Sequence, residues 1–245
     1  MKYNEVVSLY DRDVAVLKDY VIKKKLSLHR SMRKPGFDIE IKKREKGTVN
    51  EEKLEVNIIR AKSAIFELAY CNLWDFFFTF TLDPNKYDRS DLGKWHKDFT
   101  QWIRDYNKKH SLSIKFLLIP ERHKDGSWHM HGFIKGLPLE HLIKNQNGYL
   151  DWLPYREKFG YCSVDHIKNH EAVSKYITKY ISKNLQDCIK DVNAHMYYCS
   201  RGLRRSQIMK KGTLTAISIP WDYEGEYCKV KWFDQGDDRC LSLIE

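Results

Sequence analysis

Residues 121–131 read Glu121-Arg122-His123-Lys124-Asp125-Gly126-Ser127-Trp128-His129-Met130-His131. Side chains alternate faces along a strand, so His129 and His131 share one face. Lys124-Asp125-Gly126 suits a three-residue hairpin loop with Gly126 in the left-handed conformation. In that register His123 pairs with Ser127, and Glu121 falls opposite His129, their Cβ atoms roughly 4.5–5.5 Å apart. Two imidazoles and a carboxylate then line one patch of sheet, a ligand set for a single divalent ion with coordination positions left open. A two-residue loop at Asp125-Gly126 would instead pair Glu121 with Met130, so the register decides the chemistry. His123 is expected on the opposite strand face.

Working outward, the flanking sequence alternates strands with helices. Glu51 to Leu73 carries an apolar helical stripe of Leu54, Ile58, Ala61, Ile65, Leu68 and Ala69. Asp75 to Leu82 reads as a buried strand that stops at Asp83-Pro84. Asp91 to His110 is a second helix with Ser90 as its N-cap. Ile114 to Glu121 and Trp128 to Ile134 are the hairpin strands. Pro138 to Lys144 reads as a short helix, Tyr161 to Val164 as a strand, and Asn169 to Leu185 as a helix. Thr213 to Ile219 and Tyr227 to Phe233 are read as closing strands. Asp13 to Leu28 reads as a helix and Phe37 to Lys43 as a short strand. The pattern predicts an α+β domain over residues 51–245, built on a central antiparallel sheet with helices mainly on one face. Residues 1–50 are treated as a basic N-terminal extension.

The 245 residues carry 43 Lys plus Arg against 33 Asp plus Glu, a net charge of +10 that points to a polyanionic partner. Fifteen tyrosines and seven tryptophans suit surfaces that stack unpaired bases, although an aromatic core is their commoner use. The longest apolar stretch, Ala64 to Leu82, is broken by Glu67, Asn72 and Asp75, which argues against a membrane span. The opening Met1-Lys2-Tyr3-Asn4-Glu5 lacks the pattern of a secretory signal. Six cysteines without a CxxC pair read as reduced thiols, and a cytoplasmic setting follows.

A second stretch carries chemistry: Ser174-Lys175-Tyr176-Ile177-Thr178-Lys179-Tyr180-Ile181-Ser182-Lys183. On a helix Tyr176 and Tyr180 stack on one face, and Lys179 and Lys183 each follow a tyrosine by three residues. A phenol is a poor nucleophile at neutral pH because its pKa is near 10. A nearby ammonium group or metal ion favours the phenolate. Two tyrosines on one face allow two successive covalent steps. Taken alone, an HxH strand or a YxxxY helix is commonly structural; the combination is far rarer. His166, His170, His195 and Cys199 read as structural. Lys23-Lys24-Lys25 and Lys42-Lys43-Arg44 read as solvated charge runs or a DNA-contacting arm.

Together these segments resemble the HUH endonuclease superfamily, in particular the rolling-circle replication initiators of small single-stranded DNA phages, viruses and plasmids. Phe78-Thr79-Phe80-Thr81-Leu82 is similar to the first family motif, His129-Met130-His131 to the HUH element, and Tyr176 to Lys183 to the doubled tyrosine motif. The resemblance covers Asp75 to Lys183, and Tyr198 to Arg205 is similar to a tail segment of phage initiators. It implies about five sheet strands and Mg²⁺ or Mn²⁺ held by Glu121, His129 and His131. The mixed nitrogen and oxygen set does not itself reject Zn²⁺. It implies nucleophilic Tyr180 and Tyr176 with Lys179 and Lys183 steadying charge, and DNA contacts by Thr79, Thr81, Arg201, Arg204 and Arg205.

What the resemblance implies is nicking of single-stranded or hairpin origin DNA, a 5′-phosphotyrosine intermediate, and initiation and termination of rolling-circle replication. A host helicase and polymerase are the implied partners. No GxxxxGK[ST] stretch occurs, so no helicase domain is expected within these residues. The alternatives are a transposase or relaxase with the same core, a non-catalytic origin-binding protein, and a metallohydrolase that uses water.

Overall fold

The computed structural model describes residues 13–29, 51–146, 148–177, 195–215, 218–225 and 228–245. The expected strand at Phe37 to Lys43 lies outside them. The fold is α+β with two antiparallel sheets. The chain divides into two compact units, Met1–Lys46 with Arg205–Glu245, and Gly47–Arg204.

In the first unit, Val14–Asp19 (β1) and Lys23–His29 (β2) form an antiparallel hairpin. The helix expected over Asp13 to Leu28 is therefore corrected. Ala15, Leu17 and Leu26 recur at the strand period and are fully buried. They pack with Cys240 and Ile244, which the chain brings in from its far end. Gln207–Gly212 (β10) pairs with β1, and Cys228–Asp234 (β12) pairs with β2. Tyr223–Glu224 (β11) completes the order β10-β1-β2-β12-β11. The strand expected at Thr213 to Ile219 lies earlier, at β10. Within that range the described residues form only an isolated bridge, Leu214 to Ile244.

The second unit holds Glu51–Cys71 (α1), Phe76–Thr81 (β3), Leu92–His110 (α2), Lys115–Arg122 (β4) and Trp128–Lys135 (β5). Leu142–Lys144 (β6), Leu150–Trp152 (β7), Leu153–Lys158 (α3), Cys162–His166 (β8), the helical residues 170–177 (α4) and Tyr198–Cys199 (β9) follow. The strand order is β6-β7-β8-β3-β5-β4-β9, seven strands where about five were expected. Leu139–His141 forms only a 3-10 turn before β6, which replaces the short helix expected at Pro138 to Lys144. The α2 N-cap is Asp91, whose Oδ1 accepts from the Lys94 amide at 2.9 Å. Ser90 donates its hydroxyl to Asp88 instead.

Helices cover both faces of this sheet, not mainly one. On one side Phe76, Phe78 and Phe80 of β3 and Met130 and Ile134 of β5 meet Trp95, Phe99, Ile103 and Tyr106 of α2 and Tyr155 of α3. On the other, Leu117 and Ile119 of β4 and Phe133 of β5 meet Ile65, Leu68 and Ala69 of α1 and Ile177 of α4. The run Phe116-Leu117-Leu118-Ile119 is buried on every residue because its strand is covered twice. Burying each such side chain stabilises by roughly 1.5–3 kcal/mol.

Two details fix the central strands. Gly132 stands where a Cβ would meet the Leu117 carbonyl oxygen at 1.9 Å, so only glycine lets β4 and β5 approach there. Asn72 is buried and reads the main chain of Arg204 in both directions. Its Nδ2 donates to the Arg204 carbonyl at 3.0 Å, and its Oδ1 accepts from the Arg204 amide at 3.0 Å. No helix among the described residues is long and apolar enough to cross a membrane.

Candidate nucleic-acid cleavage site

The site forms where the apolar cover of α1 gives way along one face of β3, β4 and β5. The hairpin has the expected register: Glu121 pairs with His129, and Arg122 with Trp128. The His123 amide donates to the Ser127 carbonyl, and Gly126 adopts φ +85° in the loop. Asp125 Oδ1 accepts from both the amide and the hydroxyl of Ser127, which stiffens that turn. Glu121, His129 and His131 therefore share a face. Glu121 Oε2 lies 2.7 Å from His131 Nε2, with both side chains mostly shielded from water.

Strand β3 supplies the far side of each imidazole. Thr79 pairs with His131 and Thr81 with His129 in the ladder. Thr79 Oγ1 lies 3.0 Å from His131 Nδ1, and Thr81 Oγ1 lies 3.1 Å from His129 Nδ1. A hydroxyl both donates and accepts. Each threonine can therefore keep its bond to Nδ1 whichever ring nitrogen carries the proton. With Nδ1 engaged in this way, Nε2 can present a lone pair, and such second-sphere bonds orient metal-ligating histidines. The sequence reading placed Thr79 and Thr81 near DNA; in the fold their hydroxyls face the histidines.

Both rings are held neutral. Burial pushes His129 down to about 4, helped by the nearby positive fields of His123, His131 and Arg89, against a weaker opposing pull from Glu121. Burial also lowers His131, with Glu121 opposing. Neutral imidazole is the form that coordinates a cation.

His123 corrects one expectation. Its ring stacks on His129 with centroids 3.8 Å apart, so it lies on the face of Glu121 and not opposite it. Residues two apart on a strand share a face, and that periodicity was the available signal. Arg89 also escaped the sequence reading. It comes from the loop after β3, and its Nη2 donates to Ser127 Oγ at 2.9 Å.

The donor set fits a divalent ion. Two imidazole nitrogens and a carboxylate lie on one face, two of the three groups are already in contact, and both rings are uncharged and braced at Nδ1. Among the described residues, no three His, Cys, Asp or Glu side chains stand already converged as a metal-binding group.

Tyr176 lies on α4, half exposed. Ser174 on the same turn is buried and donates its hydroxyl to the Ala69 carbonyl of α1 at 3.4 Å, and Ile177 enters the core. The Tyr176 ring packs edge-on against Phe77 with centroids 5.9 Å apart. Phe77 in turn lies parallel to the His131 ring at 6.4 Å. One aromatic ring thus separates Tyr176 from His131.

Residues 75–185 match a family of replication-associated proteins, the ORF2 and gene-II-protein type. The match begins just before β3 and takes in Glu121, His129, His131 and both motif tyrosines. By that likeness the segment is of the replication-associated type. No curated protein and no solved structure matches the chain.

Tyr180, Lys179 and Lys183 lie outside the described residues. Arg201, Arg204 and Arg205 are exposed and lie beyond the matched segment in sequence. His170 Nε2 lies 2.8 Å from the Trp74 carbonyl oxygen, and a carbonyl only accepts, so the ring donates. His166 packs on Phe76. Cys71, Cys162, Cys199, Cys228 and Cys240 are reduced thiols.

Proposed function

We propose that the chain is a metal-dependent, site-specific single-strand DNA nicking and joining enzyme that initiates and terminates rolling-circle replication. One observation carries the reading: Phe77 lies against both His131 and Tyr176, so a phenol stands beside the candidate metal ligands on the same sheet face. The likeness of residues 75–185 to replication-associated proteins supports the same conclusion.

Glu121, His129 and His131 hold Mg²⁺ or Mn²⁺, which supplies charge neutralisation at a scissile phosphate. Thr79 and Thr81 hold the two imidazoles in place. The tyrosine oxygen bonds to phosphorus and gives up its proton. The bond from phosphorus to the 3′ oxygen breaks, and that oxygen takes up a proton. A 5′-phosphotyrosine remains, which conserves the phosphodiester for rejoining. Tyr180 makes the first such attack and Tyr176 serves the second, with Lys179 and Lys183 steadying charge. The free 3′ end primes synthesis by a host polymerase at origin DNA that is single-stranded or extruded as a hairpin. Arg201, Arg204 and Arg205 contribute phosphate contacts.

The test is a denaturant-resistant protein–DNA adduct formed with manganese and single-stranded origin DNA. The wild-type chain forms it. Tyr176→Phe with Tyr180→Phe removes it and leaves DNA affinity within about twofold. Cleavage without an adduct would assign the chemistry to water, and loss of folding in the double variant would make the tyrosines structural.

A further inference from the structure

A cavity of about 430 Å³ opens beside the histidine patch, lined by Thr81, Asp83, Lys86, Arg89, Arg156 and Tyr161 among others. Its size falls within the range of ligand pockets, roughly 300–1,000 Å³. Thr81 belongs to both places, since its hydroxyl braces His129. Arg89 also reaches both, because its charge is felt at His129.

The lining is cationic: Lys86, Arg89 and Arg156 stand against the single carboxylate of Asp83. Each cation is already oriented. Lys86 donates to the Glu157 carbonyl at 2.7 Å, and Arg89 donates to Ser127. Arg156 donates through Nη1 to Asp151 at 2.8 Å. Asp151 is itself wholly buried, whereas the Arg156 side chain is 51% exposed, so the guanidinium shows its charge outward and the carboxylate does not. A guanidinium has five N–H donors, and one bond leaves most of them unspent. Arg89 Nε is buried with no hydrogen-bond partner among the described residues. Tyr161 adds a flat apolar face at this cavity and is 47% exposed, so its ring is open to a stacking partner.

Oriented cations beside a half-exposed aromatic ring match the two halves of a nucleotide. Resting on the single-strand DNA reading above, we propose that this cavity receives the deoxynucleotide adjoining the scissile phosphate. Arg89 and Arg156 take its phosphate, and Tyr161 stacks on its base. A ring contact of this kind tolerates any base, so the cavity grips the strand next to the cut without reading sequence.

The test uses the full chain and an oligothymidylate of about 20 nucleotides carrying 5-iodouracil, long enough to fill a single-strand site, without metal. Illumination should cross-link the oligonucleotide to the peptide containing Tyr161. Tyr161→Ala should weaken binding roughly 5- to 100-fold, as removal of a stacked base platform does. Arg89→Gln should flatten the dependence of log affinity on log salt by about 0.7, one single-strand phosphate contact. Circular dichroism confirms that each variant is folded. Cross-links confined to other peptides, or wild-type affinity in folded Tyr161→Ala, would overturn the proposal. Neither readout involves cleavage. A chain that nicks origin DNA yet shows no Tyr161 contact sinks this inference alone. A chain that cross-links at Tyr161 and never nicks supports it while sinking the nicking reading.

Discussion

Replacing Thr79 with valine isolates the contribution of one hydroxyl to the histidine patch. Valine matches threonine in shape and strand preference, so β3 keeps its pairing with β5. The substitution deletes the group 3.0 Å from His131 Nδ1. Second-sphere bonds of this type are worth about 10- to 100-fold in metal affinity. Two features of the site set where in that range the loss falls. The His131 side chain is only 13% exposed, so water poorly replaces the lost partner. Against this, Phe77 still lies parallel to the ring and Glu121 still touches Nε2. We expect about 30-fold weaker Mn²⁺ binding, or about 2 kcal/mol. Titration calorimetry of Mn²⁺ measures it directly, and paramagnetic resonance of the unbound ion gives an independent value. Thr79→Ser keeps the hydroxyl and should restore binding to within about threefold. A folded Thr79→Val chain that binds Mn²⁺ as tightly as wild type would refute the idea that this strand orients the ligands.

Other expectations follow from separate features. Gly132→Ala puts a methyl group onto the Leu117 carbonyl. It should lower the melting temperature of the Gly47–Arg204 unit sharply or prevent its folding, and a melting temperature within about 2 °C (about 0.5 kcal/mol) of wild type would contradict the contact. Folded His129 resists protonation down to about 4, while the unfolded imidazole takes up its proton near 6.5. Stability should therefore fall as pH falls through that window and level out below it. Urea melts across pH 4 to 7 would show the slope, and His129→Gln should reduce it. Asn72→Ala removes both bonds to the Arg204 main chain. It should cost about 1–3 kcal/mol, read from a shift in urea midpoint at unchanged m-value.

The hairpin was legible because two local rules agreed. Lys124-Asp125-Gly126 fixed the turn, and the spacing of His129 and His131 fixed the face, so Glu121 fell into place. The histidine face of β5 could be read while its neighbours could not, because partner strands come from distant sequence. Thr79 and Thr81 looked like surface hydroxyls until β3 was set beside β5. Residues 13–28 misled for the same reason: their apolar positions satisfy a helical and a strand period alike over so short a span, and the strands that resolve the choice lie beyond residue 206. Arg89 and Tyr161 gave no signal because loop residues carry no periodicity, and only the folded turn brings them around Thr81.

The small sheet is stitched from the two ends of the sequence, which enclose the histidine-bearing segment like parentheses around a clause. On the ribosome β1 and β2 emerge first, yet β10 and β12 appear only after everything between has been synthesised. The opening strands must wait, edges bare, until their partners arrive. A chain cut short after residue 204 would thus possess the complete inner unit while its first hairpin remained without neighbours.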